Sequence, residues 1–214
     1  ADNMSVDGTG DLLADAAHSL PCRVVRLVDP EPAYYQSRKM TRLAAQAADM
    51  GAEWVIPFDA DEVWYAHEDR LANVLRSQPS GVRIVEATIW NHFVTSLDEP
   101  DPVPFRSMVW RHRSRAPLTK VAFRWSPDVV VAQGNHAACF TDSPSGVSTP
   151  RHVGTVALRH FPYRSFDQFV RKAENGAAAY AATDLPVDQG AHWRQYGQLL
   201  ERHGVDALRE VWDT

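Results

Sequence analysis

The segment Trp54-Val55-Ile56-Pro57-Phe58-Asp59-Ala60-Asp61-Glu62-Val63-Trp64 limits the possible folds of this chain more than any other. A short apolar run that stops abruptly in carboxylates reads as a buried strand carrying acids to its tip. In an open α/β sheet, ligands gather beyond the carboxyl ends of the strands, so Asp59 and Asp61 would meet whatever the protein holds. Residues two apart on an extended chain share a face, and two acids on one face repel unless something positive lies between them. A divalent metal bridging to a phosphate satisfies that requirement, because hard oxygen ligands suit magnesium or manganese. An acidic turn after an edge strand accounts for the same residues without any site.

The 214 residues suit one large domain or two small ones and are enough to bury a substantial core. With 44% apolar and 23% charged residues the composition is that of an ordinary globular protein. A net charge of −5 leaves no basic excess to neutralise a phosphate backbone, which argues against nucleic acid as a partner. Cys22 and Cys139 do not make a disulfide framework, and reduced thiols in a cytoplasmic protein are expected. No apolar run is long enough to span a bilayer, and the first residues lack the charged and apolar regions of a signal peptide.

Along the chain, Asp11 to Ala17 favours helix, with Asp7 or Thr9 placed to accept from its first free amides. Cys22 to Val28 is a β-branched run ended by Asp29-Pro30-Glu31-Pro32, hence a predicted strand. Met40, Leu43, Ala44, Ala47 and Met50 recur at helical spacing, with Gly51 at the natural stop. Strand, helix and strand in close succession predict parallel pairing through a right-handed crossover. A helix over Asp69 to Ser77 and a strand over Val82 to Trp90 follow, then an exposed loop over Leu97 to Pro104 with three prolines and three acids. Short strands are expected around Ser107 to Arg111 and Asp128 to Ala132, a loop from Thr141 to Pro150, and a last strand from Val156 to Phe161. Ser165-Phe166-Asp167-Gln168 has the form of a capping box opening a helix to about Tyr180, and helices over Trp193 to His203 and Asp206 to Trp212 close the chain. The basic run Arg111-His112-Arg113-Ser114-Arg115 reads as a solvated face or as a phosphate clamp.

Three of these pieces stand in a familiar order. Asp2-Asn3-Met4-Ser5-Val6-Asp7-Gly8-Thr9 resembles the D-N-x-S-x-D-G-T segment of family 2 glycosyltransferases. Ala48 to Glu62 is similar to their helix, strand and D-x-D metal motif, and Arg159-His160-Phe161-Pro162-Tyr163-Arg164-Ser165-Phe166-Asp167-Gln168-Phe169 to the histidine and R-S-x-x-x-F signature of one bacterial subgroup. The likeness covers most of the chain, the middle third in outline only. It implies an α/β fold of GT-A type, a mixed, mostly parallel sheet flanked by helices, forming a single glycosyltransferase-like domain over 1–214 with C-terminal helices at 165–214. The family's first strand and helix should precede the D-N-x-S segment and do not, which implies a fragment or a truncated relative, with an exposed sheet edge that favours a homo-oligomer.

The activity implied is metal-dependent transfer of a sugar from a nucleotide diphosphate sugar to an acceptor hydroxyl, the cofactor being manganese or magnesium. By the same resemblance the metal would be held by Asp59, Asp61 and His160, with His136 competing for the histidine's place. The nucleotide would be met by Asp2, Asn3, Ser5, Arg38, Asp59 and Arg164, with Gln36 and Arg42 on the same helix as Arg38. Lys120 and Arg124 are further phosphate candidates, and Trp90, Asn91, His92 and Phe93 end a strand where a sugar platform or ordinary core would sit. Asp98, Glu99, Asp101 and His92 qualify by type as the general base, and no spacing singles one out.

Two other functions compete. Phe58 to Val63 also spells the D-x-D-x-[TV] nucleophile motif of haloacid dehalogenase-like phosphatases, with Gly10 to Asp15 spelling their G-D-x-x-x-D, although on the wrong side of the nucleophile. A binding module that holds a nucleotide or a glycan without turnover is the third.

Overall fold

A computed structural model of the protein describes residues 1–98, 101, 103–141 and 151–213, with residues 104 and 151–153 as backbone alone. They divide into two compact units, one made of Ala1–Tyr34 with Arg171–Thr214 and the other of Tyr35–Val170. The chain is mixed α/β, and among the described residues no helix is long and apolar enough to cross a membrane.

The first unit is helical. Helix α1 (Thr9–Ser19) begins where Asp7 accepts from the amide and hydroxyl of Thr9, at 3.2 and 2.6 Å, as the cap chemistry predicts. Residues 22–28 form no strand: the segment makes one parallel bridge, Asp2 with Val28, so the predicted β-branched strand is absent. The C-terminal half of α5 (Phe166–Ala181), α6 (Ala191–His203) and α7 (Val205–Trp212) complete the unit. Glycines let α5 and α6 approach closely, since a Cβ on Gly176 would lie 2.8 Å from the Trp193 ring and one on Gly197 2.6 Å from Ala177.

The second unit is built on a five-stranded sheet, in which β1 (Trp54–Val55), β2 (Glu62–Ala66), β3 (Ile84–Asn91), β4 (Thr119–Arg124) and β7 (Arg151–His160) take the order β1-β4-β3-β7-β2. Only β3 and β7 run parallel; the other three pairings are antiparallel. The expected mostly parallel sheet is therefore corrected to a mostly antiparallel one. The reason is that β2 and β4, which lack clean alternation in sequence, supply most of the pairing, and the residues after Val55 leave the ladder instead of extending it.

The two faces of this sheet carry separate cores. Ile84, Val121 and Phe123 pack with Ala44 of α2 (Gln36–Asp49) and with the ribbon of β5 (Val129–Val131) and β6 (Ala138–Phe140). Val85, Ala87, Ile89, Ala122, Val156 and Leu158 face the other way, against Leu71, Val74 and Leu75 of α3 (Leu71–Arg76). Trp54 of β1 and Trp64 of β2, from opposite edges of the sheet, both pack on this second core. A flat sheet would hold those edges about 19 Å apart at about 4.8 Å per strand. Because both tryptophans nevertheless meet the same core, the sheet curls toward the α3 face.

The predicted helices over 40–50 and 69–77 are present as α2 and α3, and the strand over 82–90 as β3. No strand forms at 107–111, where a helical turn, α4 (Pro104–Ser107), is followed by a single bridge from His92 to Arg111. Of the expected loops, Thr141 to Pro150 lies outside the described residues except at Thr141, while Leu97 to Pro104 is described at 97, 98, 101, 103 and 104 and runs into α4 at Pro104.

Phe123 has no exposed surface and sits in the middle of the α2-facing core. Phe123→Ala should lower stability by about 3–5 kcal/mol in urea denaturation. Val130→Thr, on the exposed side of β5, should change it by no more than about 0.5 kcal/mol.

Candidate functional site

The acids of the Asp59–Glu62 segment lie at the end of the sheet where β3 and β7 finish. Register explains the placement. Glu62 is paired with His160 and Asn91 with His160, while Lys120 pairs with Ala87, so all of these side chains share the α3 face of the curled sheet. Phe161 donates its amide to the carbonyl of Asp61 at 2.9 Å, which pins the acidic segment to the end of β7.

Lys120 is the centre of the cluster. Its Nζ lies 2.7 Å from Asp59 Oδ2 and 2.8 Å from Glu62 Oε1, and only 6% of its side chain is exposed. Glu62 is buried and accepts further from Trp64 Nε1 at 3.1 Å. Burial pulls the Lys120 pKa down, but Asp59 and Glu62 together more than offset this and leave it raised above the ordinary 10.5. The ammonium that could have been a phosphate clamp is instead the counter-charge of two carboxylates.

Asp59 is held through both carboxylate oxygens. Its Oδ2 takes Lys120, and its Oδ1 accepts from Gln36 Nε2 at 3.1 Å and Asn135 Nδ2 at 3.3 Å. A carboxylate offers about four lone-pair sites, so one remains, on a side chain still 35% exposed. Asn135 belongs to the 3-10 turn Gln133–Asn135, is fully buried, and among the described residues leaves its Oδ1 without a hydrogen-bond partner. Gly134, at φ 78°, and Asn135, at φ 59°, bend this turn back onto α2, where Gln36 Oε1 takes the Gly134 amide at 2.8 Å. A Cβ on Gly134 would also meet the His136 ring at 2.7 Å.

Asp61 faces His160 instead. His160 Nε2 is 3.7 Å from Asp61 Oδ2, and its Nδ1 is 2.8 Å from Asn91 Oδ1. Since an amide oxygen only accepts, Nδ1 carries the hydrogen. That turns Nε2 toward the Asp61 carboxylate, an ion pair when the imidazole is protonated.

The structure thus brings together Asp59 with Gln36, Lys120 and Asn135, and Asp61 with His160. His136 lies within reach of the charges of Lys120, Glu62 and Asp59, but its Nδ1 is 2.8 Å from the Thr119 carbonyl and burial lowers its pKa. Arg38 is exposed and stacked on Tyr35 at 4.5 Å. Arg164 is exposed beside the cap of α5, where Ser165 Oγ takes the Gln168 amide at 3.2 Å and Gln168 Oε1 takes the Arg164 amide at 3.1 Å, one residue short of a full capping box. Arg124 is structural, bonded to the carbonyls of Gln78 and Val82 and paired with Glu53.

Asp2, Asn3 and Ser5 belong to the first unit and are tied within it. Ser5 donates its amide to Asp2 Oδ1 at 3.0 Å, and the Ser5 hydroxyl and amide hold the Asp2 carboxyl below its ordinary range. Asn3 Nδ2 donates to the carbonyls of Asp29 and Glu31 at 2.8 and 2.7 Å. Among the general-base candidates, Asp98 Oδ2 accepts from the Thr95 amide at 2.5 Å and Asp101 Oδ1 from the Val103 amide at 2.6 Å, both local turn contacts. His92 is buried against Phe161, and Glu99 lies outside the described residues.

Lys120→Met should destabilise the second unit by about 3–5 kcal/mol, because it strands buried Glu62 without a counter-charge. Adding Glu62→Gln should recover part of the loss. The folded-state pKa of Lys120 lies above its unfolded value, so the pair's stabilisation is fully present below about pH 10.5 and is lost as the pH rises through the folded pKa. Denaturation midpoints between pH 8 and about 11.5 should fall at the alkaline end in the wild type and lose that component in the Met variant.

Compared with family models, with curated proteins and with solved structures, the chain matches none, and the site stands on its own residues.

Proposed function

We propose that the chain is a metal-dependent glycosyltransferase that moves a sugar from a nucleotide diphosphate sugar to an acceptor hydroxyl. The observation that carries the reading is the Asp61–His160 pair, with Asn91 fixing the imidazole. A histidine whose far nitrogen is oriented by a second group is the usual arrangement of a metal-binding histidine. Among the described residues no set of three or more His, Cys, Asp or Glu gathers to form a complete protein cage. Two protein ligands suit an ion that takes the rest of its shell from substrate phosphates. One imidazole in the set inclines it toward manganese over magnesium.

When bound, such an ion supplies positive charge against the departing diphosphate. The chain's own residues do the positioning. Asp59, its charge compensated by Lys120, is suited to accept from a ribose hydroxyl with its remaining lone pair rather than to serve as a strong metal ligand. Gln36, Asn135 and Lys120 keep that carboxylate in one orientation. The ordered sequence motifs around Asp2, Asp59 and His160 support the same reading independently of the geometry.

Calorimetric titration of nucleoside diphosphates in manganese should show binding that disappears with EDTA. Asp61→Asn and His160→Ala should each abolish the metal dependence, and Asn91→Ala should weaken manganese binding by about 10–100-fold. Turnover across a panel of nucleotide sugars separates a transferase from a module that only binds. Nucleotide binding indifferent to manganese and to both variants would sink the proposal.

A further inference from the structure

A cavity of about 410 Å³ opens on the sheet face opposite Lys120. Strand alternation builds its wall. Tyr65, Trp90 and Arg159 adjoin Trp64, Asn91 and His160 in sequence and so project to the other side of β2, β3 and β7. Residues 108–112 run alongside the end of β3, with Phe93 donating its amide to the Trp110 carbonyl and His112 donating to that of Asn91, and this places Arg111 over the same cavity.

The cavity is basic and aromatic in a chain whose net charge is −5. Arg111 stacks on the Trp90 ring at 3.9 Å, and Arg159 lies 5.6 Å from the Tyr65 ring centre. Among the described residues neither guanidinium has an acidic partner, and no carboxylate lines the cavity. His92 shares the lining, its Nδ1 2.8 Å from the Met108 carbonyl and its ring 4.7 Å from that of Phe161. Burial first, and then the charges of Arg159 and Arg111, hold its pKa below the ordinary value, so it adds no third charge at neutral pH.

Two guanidiniums brought to one cavity with no acidic partner among the described residues repel each other, and an anion between them removes that cost. Stacking occupies the faces of the arginines and leaves their N–H edges for a planar oxyanion, the geometry in which arginine binds carboxylate or phosphate in a bidentate manner. The rings of Tyr65, Trp90 and Phe105 supply a surface for a flat apolar body. We infer that this cavity binds a small ligand joining a planar ring to an oxyanion, carboxylate or phosphate, at a site distinct from the Asp61–His160 pair. The inference does not depend on sugar transfer.

The test is calorimetry of the full chain in EDTA with phenyl phosphate, benzoate and uncharged benzyl alcohol. The two anions should bind and benzyl alcohol should bind at least about tenfold more weakly, the size expected for loss of a charge-assisted contact. Arg111→Gln and Arg159→Gln, both at exposed positions, should each weaken anion binding at least about tenfold with an unchanged circular dichroism spectrum. Arg113→Gln, in the same basic run, and Asp61→Asn should bind as the wild type does. Preference for phenyl phosphate over benzoate would identify phosphate as the recognised group, and the reverse would identify carboxylate. Equal binding of benzyl alcohol, unchanged binding in both arginine variants, or no anion binding at millimolar concentration would each overturn the inference.

Discussion

The end of the sheet depends on one buried ammonium. Lys120 stands between Asp59 and Glu62 with almost no contact with water, and it brings together residues more than fifty positions apart in the chain. Two carboxylates and one lysine leave a net charge of −1 before any neighbour is counted. Removing the lysine would leave Glu62 with the full desolvation penalty of an unpaired charge.

Around that ion pair the two acids of the D-x-D segment part company. Asp59 spends three of its acceptor sites on Lys120, Gln36 and Asn135, which makes it a rigid hydrogen-bond acceptor rather than a generous ligand. Asp61 turns to His160, and Asn91 decides which imidazole nitrogen faces it. Strand alternation then separates this acidic rim from the arginine-lined cavity on the opposite face, so neighbours such as Arg159 and His160 serve different surfaces.

Much of this was legible in local signals. Helical periodicity located α2, α3 and α5 to α7, and Ser165 capped α5 as its residue type predicts. The acidic run and His160 stood out as candidates because chemistry-bearing residues followed a short apolar stretch and a strand. The strand β4 did not stand out. Thr119 to Arg124 is buried on both faces and carries a lysine, so neither alternation nor an uninterrupted apolar run marks it. Asn135 gave no signal, since an asparagine in Gln133-Gly134-Asn135 reads as an ordinary turn residue until the turn is folded against α2.

The sequence by itself determined where the longer helices lie, where the acids and histidines fall, and that the chain carries no excess of positive charge. Only the tertiary structure decided that the sheet is mostly antiparallel, that Lys120 neutralises Asp59 and Glu62, and that Asn91 orients His160. The division has a physical cause. Periodicity and capping are contacts between residues a few positions apart, whereas strand order and ion pairing bring together residues far apart in the chain and depend on which faces end up buried.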